Sequence, residues 1–305
     1  MCDRMAFPNF FIVGAPKCGT TALYAYLRTH PDVFMPEVKE PHYFGSDLAF
    51  RYRRRPDADR YRSYFAGANG QPRIGEASIW YLYSTRAAAE IREAVPEARA
   101  IVMVRDPVEM ITAMHSQFVY NGHEDLPLAD ALAAEDERAE GRRIPADANF
   151  PAGLLYRRIA SFDEQLQRFR DVLGKERVHV VVFDDLKADA AATYRPVLEF
   201  LGIDPAFSPS FDVVNANKVS RSRTLRQLLN NPPEWLRAPV RAVLPWKLRR
   251  RAYRALVSAN IKREPREPAD PAVLERLREE MAPSVRRLAS MLGRDLGAWL
   301  PKRLP

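Results

Sequence analysis

A three-layer α/β fold, with a central parallel sheet flanked by helices on both faces, is what this sequence predicts, and three observations predict it. Short, nearly uninterrupted apolar runs occur at Phe10–Val13, Ala98–Arg105 and Arg177–Phe183, with a weaker one at Arg73–Ala77. Strands apolar on both faces belong in a sheet covered on both sides. Between these runs, apolar residues recur at helical spacing. The first run also leads through a glycine-bounded turn, Gly14 to Gly19, directly into a helix pattern, as alternating β and α units require.

Taken in order, Phe10–Val13 is the first buried strand and the residues after Gly19 open a helix. Arg73–Ala77 is a second strand. Ala98–Arg105 is a third, ending at Asp106-Pro107, where proline suits the first helical position. Gly141 to Gly153 reads as an exposed connection. Leu155, Ile159, Phe162, Leu166 and Phe169 line one helical face that stops near Gly174. Arg177–Phe183 follows as a strand, and Val197, Leu198 and Leu201 precede Gly202 as a helix end. From about Ser220 the chain reads as helical, with breaks at Pro232, Pro233, Pro239, Pro245, Pro265, Pro268 and Pro271. We expect a single domain over 1–305, with an α/β core over 1–217 and a helical extension over 218–305 that wraps the sheet and closes over the site.

The chain has 305 residues, 47% hydrophobic and 28% charged, enough to bury a large core. Its two cysteines, Cys2 and Cys18, suggest no disulfide framework and a reducing compartment. No apolar run approaches membrane-spanning length, and Phe10–Val13 is too short for a signal peptide; the expected location is cytoplasmic. The formal charge of +8 is uneven. Lys218 to Arg254 holds eleven Lys/Arg against one acid, Glu234, so the remainder is slightly acidic. Trp235 and Trp246 interleave with this basic stretch, which fits core packing, an acceptor entrance, or a site peripheral to an anionic membrane surface. No nucleic-acid partner is expected. An earlier basic cluster, Arg51, Arg53, Arg54, Arg55, Arg60 and Arg62, is interleaved with tyrosines and reads equally as a solvated face.

The chemistry concentrates in Gly14-Ala15-Pro16-Lys17-Cys18-Gly19-Thr20-Thr21. Glycines permit close backbone approach, and the amides from Lys17 to Thr21 lie at a helix N-terminus, where anions are stabilised. In the nucleotide-triphosphate loop the lysine follows the second glycine. Thr20 holds that place here, and the lysine is Lys17, inside the loop. Cys18 raises the idea of a phosphatase thiolate, but no arginine follows in the same turn, so it reads as a packing residue.

With its lysine in this earlier position, the loop resembles that of the sulfotransferases that use 3′-phosphoadenosine 5′-phosphosulfate (PAPS). The resemblance implies a P-loop-like fold, metal-free transfer of a sulfuryl group to a hydroxyl acceptor on a glycan, glycolipid or small natural product, and 5′-phosphosulfate binding by Ala15 through Thr21. Arg105-Asp106-Pro107 through Ser116 is similar to the family's 3′-phosphate motif, an arginine with a serine eight positions later. Arg105 matches; the serine position is Ala113, and Thr112 or Ser116 could supply the hydroxyl. Val38-Lys39-Glu40-Pro41-His42-Tyr43-Phe44 resembles the E-x-[HQ]-[FY]-F segment of carbohydrate-type enzymes, including those acting on heparan sulfate, which makes Glu40 the candidate base and His42 its rival. Gly75-Glu76-Ala77-Ser78 resembles G-E-[KA]-S, with Ala77 where several members carry lysine. Asn215 to Leu229 resembles the late cofactor-closing loop, marking Lys218, Arg221 and Ser222 for the 3′-phosphate or adenine side. The Val180–Leu186 strand end, with Asp184 and Asp185, keeps a P-loop kinase as an alternative. A non-enzymatic polyanion-binding module using the basic segment is another.

Overall fold

A computed structural model describes residues 6–211, 219–220, 261–262 and 269–301. Its main sheet has five parallel strands: β1 (Phe10–Gly14), β2 (Val33–Phe34), β3 (Arg73–Ala77), β4 (Arg99–Val104) and β5 (Val178–Val182), in the order β2-β3-β1-β4-β5. Phe10, Phe11, Ile12 and Val13 are wholly buried, as are Ile101 through Val104, which is what a sheet covered on both faces requires. The two-residue β2 at the sheet edge is too short to show a period, so nothing in its sequence marks it as a strand.

Helices α1 (Thr20–Arg28), α2 (Ala58–Ser63), α3 (Ala87–Ala94) and α4 (Pro107–Asn121) follow the first four strands in chain order. Helix α1 buries Leu23, Tyr24, Tyr26 and Leu27. Helix α4 begins at Pro107, as expected; the Asp106 carboxylate accepts from the Val108 amide at 2.8 Å, and Gly122, left-handed at φ 76°, ends the helix. Two short helices, α5 (Leu128–Ala133) and α6 (Glu135–Ala139), lie next in the chain. Arg138 donates twice to the wholly buried Glu124 carboxylate, at 2.7 and 2.8 Å, and the Tyr156 hydroxyl adds a third bond at 2.8 Å.

Two expectations need correction. The apolar face from Leu155 to Phe169 is divided between α7 (Tyr156–Ala160) and α8 (Phe162–Leu173), because Ser161 leaves the helical region at ψ 69°. Gly141 to Gly153 is not simply an exposed connection: Arg142 and Arg143 are exposed, but Ala148 and Phe150 are buried, and Phe150 stacks on Phe50 at 4.7 Å and packs against Trp80. Its charged first half masks an apolar anchor.

Helices α9 (Phe183–Ala188) and α10 (Ala190–Leu201) follow β5, and Gly202 caps α10 in the left-handed region. A two-stranded antiparallel ribbon joins β6 (Val219–Ser220) to β7 (Ile261–Lys262). Helix α11 (Pro271–Leu292) packs against α4 and α8. Pro271, expected as a break, is the first residue of this helix. Ser284 and Arg287 of α11 reach the buried Asp163, the latter at 2.6 Å, while Arg278 meets Asp106 at 3.1 Å. The C-terminal helix therefore braces the start of α4. Lys218, Arg221, Ser222 and most of the Lys218–Arg254 stretch lie outside the described residues.

Candidate active site

Because all five strands run parallel, the segments leaving β1, β2, β3, β4 and β5 emerge along one edge of the sheet, where ligands bind in open α/β folds. The strand order sets the sequence of groups along that edge. The 40–44 turn comes first and is tied to β3 by the Glu40 amide, which donates to the Ala77 carbonyl at 2.8 Å. The Lys17 loop follows after β1, then Arg105 after β4, then Phe183 after β5.

In the loop, Gly19 adopts φ 88° and caps α1 with no side-chain acceptor. A Cβ at this position would lie 2.7 Å from the Phe183 ring, so glycine is required by both conformation and space. Pro16 lacks an N–H, and the Ala15 amide already donates to the Met103 carbonyl at 2.8 Å. The loop's amide donors toward a ligand therefore begin at Lys17, not at Ala15. Thr20 is buried and Thr21 half-buried. The cradle fits an anion: a left-handed glycine opens a nine-residue helix whose first turn has no acidic side chain.

Lys17 itself has φ 62°, and its ammonium donates to Gln117 Oε1 of α4 at 3.3 Å. Cys18 is fully buried; burial pushes its thiol well above the usual range, against only partial relief from Arg105. That is the state of an inert packing residue and the opposite of a reactive thiolate.

Arg105 sits beside this loop. Its Nη1 donates to the Lys17 carbonyl at 3.3 Å, its Nε and Nη2 donate to Glu109 at 3.0 and 2.5 Å, and its guanidinium lies 4.8 Å from the Phe183 ring centre. Burial raises the Glu109 carboxyl, but the Arg105 bonds and charge outweigh it and hold the group below its ordinary value. Ala113 is buried, whereas Thr112 and Ser116 are half-buried on the same helix; the Thr112 hydroxyl donates back to the Glu109 carbonyl at 3.0 Å. Gln117 and Phe183 were not singled out from sequence. A salt bridge from Arg105 to Asp106 or Glu109 is the alternative that the sequence offers for this arginine, and the pair formed is the one to Glu109, at i+4.

At the other end of the edge, Glu40 is half-buried and pairs with Lys39 at 2.7 Å. His42 is 4% exposed, and burial lowers its imidazole to about 4, with the Glu40 charge working in the opposite direction. Its Nδ1 lies 2.7 Å from the Glu40 carbonyl oxygen and 3.1 Å from Arg53. Glu40 and His42 both have positive φ, 59° and 51°, uncommon for non-glycine residues and frequent at functional turns.

Asp184 accepts from the Trp299 indole at 2.9 Å, and Asp185 pairs with Arg294 at 2.5 Å. This acidic pair, the feature behind the kinase alternative, thus anchors the C-terminal segment. Among the described residues, no group of three or more His, Cys, Asp or Glu side chains is placed to hold a metal, and no helix is long and apolar enough to cross a membrane.

Comparison with known proteins gives a consistent picture. Residues 7–231 match the family described as "Sulfotransferase domain". Human carbohydrate sulfotransferase 15 is 32% identical over 268 residues, covering 71% of this chain and 47% of that protein, so the chain spans about half the length of this relative. Mouse heparan sulfate glucosamine 3-O-sulfotransferase 6 is 26% identical, covering 96% of this chain and 74% of its own length. Among solved structures, a sulfotransferase from Alicyclobacillus acidocaldarius superposes with a TM-score of 0.72 at 28% identity, over 96% of this chain and 99% of that one. With the family match extending from before β1 past α10, the chain belongs to the sulfotransferase domain family.

Proposed function

We propose that this protein transfers a sulfuryl group from PAPS to a hydroxyl acceptor. The observation that carries this reading is the junction of the Lys17 loop and Arg105: an anion cradle at a helix N-terminus, with a second, forked cation 3.3 Å from the loop's own carbonyl. Two anionic groups on one nucleotide, a 5′-phosphosulfate and a 3′-phosphate, match these two positions. The amides of Lys17, Gly19, Thr20 and Thr21 take the 5′ end, and Arg105 takes the 3′-phosphate with a hydroxyl from Thr112 or Ser116 in place of the one missing at Ala113. Lys218, Arg221 and Ser222 complete this side from the closing segment.

The Lys17 ammonium stabilises charge on the bridging oxygen as the sulfur–oxygen bond breaks. Glu40 accepts the acceptor hydroxyl proton as the new oxygen–sulfur bond forms in line, leaving adenosine 3′,5′-bisphosphate. His42, buried and neutral near pH 7, supports the Glu40 turn and is the weaker candidate for the base. The acceptor is a hydroxyl of a glycan, glycolipid or small natural product; the names of the relatives favour carbohydrate. No metal step is required. A cytoplasmic location and contact of the basic segment with an anionic membrane surface belong to the same proposal.

Titration with adenosine 3′,5′-bisphosphate in EDTA tests the reading. It should raise the melting temperature without magnesium. Stabilisation by magnesium-ATP alone, with no response to the bisphosphate, would favour the kinase alternative.

A further inference from the structure

Behind the Glu40 turn lies a buried carboxylate that the proposed chemistry does not use. Glu76, on β3, is 0% exposed. Its Oε2 accepts from the Tyr61 hydroxyl at 2.6 Å and from the Tyr81 hydroxyl at 3.0 Å, while Oε1 has no hydrogen-bond partner. A buried carboxyl in such a setting has a structural reason to be there, since leaving one oxygen unpaired is costly.

That reason is visible in the 40–44 turn. Three alternate amides of the turn are tied to the β3 segment: Glu40 to the Ala77 carbonyl at 2.8 Å, His42 to Ser78 Oγ at 3.1 Å, and Phe44 to the Tyr81 hydroxyl at 3.1 Å. The Tyr81 hydroxyl has one proton. Donating it to Glu76 leaves the oxygen lone pair facing the Phe44 amide, so Glu76 orients the acceptor that the turn needs. Tyr61, held by the same carboxylate oxygen, stacks flat on Tyr43 at 4.0 Å and 7°, and Phe44 meets both Tyr61 and Tyr81 edge-on at 5.8 and 6.0 Å. Both tyrosines gripping the turn therefore converge on one atom of Glu76.

We infer that Glu76 is a positioning residue that, through Tyr61 and Tyr81, fixes the positive-φ turn carrying Glu40 and His42 in its working conformation. This rests on the proposed role of Glu40. The groups facing Glu76 are Tyr61 from α2, Ser78 and Tyr81 from the segment after β3, and the Arg53 charge. Burial raises the Glu76 carboxyl to about 7, opposed by the nearby Ser78 hydroxyl, the Tyr61 and Tyr81 bonds and the Arg53 charge. Its charge, and with it the strength of both tyrosine bonds, changes near neutrality, whereas His42 has its own transition far lower.

The test follows the His42 imidazole Cε1–H resonance by NMR in the full chain with ¹³C-labelled histidine, from pH 5.5 to 8.5, assigned with His42→Asn. The wild type should show an inflection near pH 7, which folded Glu76→Gln should abolish. A His42 resonance that folded Glu76→Gln leaves at its wild-type position at every pH, or an inflection that survives in folded Glu76→Gln, overturns the inference. If Glu76→Gln does not fold, Tyr81→Phe serves instead: it should at least halve the amplitude, and an unchanged amplitude overturns the inference. Transfer that survives Glu40→Gln would refute the base assignment alone, leaving the His42 curve to decide the positioning role.

Discussion

Replacing Arg105 by alanine should weaken adenosine 3′,5′-bisphosphate far more than adenosine 5′-monophosphate. A charge-assisted contact to phosphate contributes about 1.5–3 kcal/mol. In the free protein, however, the fork is not idle: Nε and Nη2 already hold Glu109, whose side chain is 45% exposed. Displacing a partly exposed pair of this kind costs about 0.2–1 kcal/mol. The net expectation is about 1–2 kcal/mol, or roughly 5- to 30-fold in affinity for the 3′-phosphorylated nucleotide, with less than about twofold for the monophosphate. Glu109→Gln should shift affinity the other way, tightening the bisphosphate by up to about fivefold, because the resident competitor is gone. Isothermal calorimetry at constant ionic strength reads each of these affinities. Equal losses for both nucleotides in Arg105→Ala would show that the arginine holds the loop through the Lys17 carbonyl rather than reading the 3′-phosphate, and would refute the reasoning.

Other expectations can be stated more briefly. Lys17→Ala should lower turnover by about 10²–10³, the scale of removing one preorganised donor, with stability nearly unchanged; a loss below tenfold would remove it from the transition state. Glu40→Gln should abolish transfer while leaving bisphosphate affinity intact, and His42→Ala should be milder; the reverse order, read from steady-state rates, would hand proton removal to His42. The buried groups also predict opposite pH responses. His42, neutral in the fold with its pKa depressed to about 4, contributes stability present above about 6.5 and lost as pH falls toward 4. Glu76, raised to about 7, contributes stability present at low pH and lost as pH rises through 7. Between pH 8 and 5 each amounts to about 2 kcal/mol and they nearly cancel. Urea unfolding of Glu76→Gln should therefore show stability falling on acidification, and His42→Asn should show it rising; parallel curves would contradict both assignments.

Much of the fold was legible in the sequence because a doubly covered parallel sheet writes itself in unbroken apolar runs. β1, β3, β4 and β5 lie within a residue of their expected bounds, and Pro107 marked the start of α4. What stayed hidden had no periodic signal. β2 is two residues long, Ser161 breaks a helix without glycine or proline, and Phe150 anchors a segment whose charged half dominates its composition. At the candidate site, single motifs marked Lys17, Arg105 and Glu40 as candidates, since each carries a charge in an unusual local pattern. Their partners came from chain-distant contacts: Phe183 above Gly19, Gln117 at Lys17, and Tyr61 and Tyr81 beneath the Glu40 turn. No local spacing encodes which helix face meets which strand end. The early arginine cluster shows the same limit, because Arg51 donates to the carbonyls of Pro145 and Ala146, about a hundred residues away, while Arg53 approaches His42.

The central claim is sulfuryl transfer, and label transfer from [³⁵S]PAPS to a panel of glycosaminoglycan oligosaccharides and alkyl glycosides tests it most directly, run in EDTA beside Lys17→Ala and Glu40→Gln. The account predicts ³⁵S in a hydroxyl acceptor, one bisphosphate released per label transferred, and loss of both in the two variants. Transfer of ³²P from magnesium-[γ-³²P]ATP to the same panel, with none of the sulfur label moved, would contradict it.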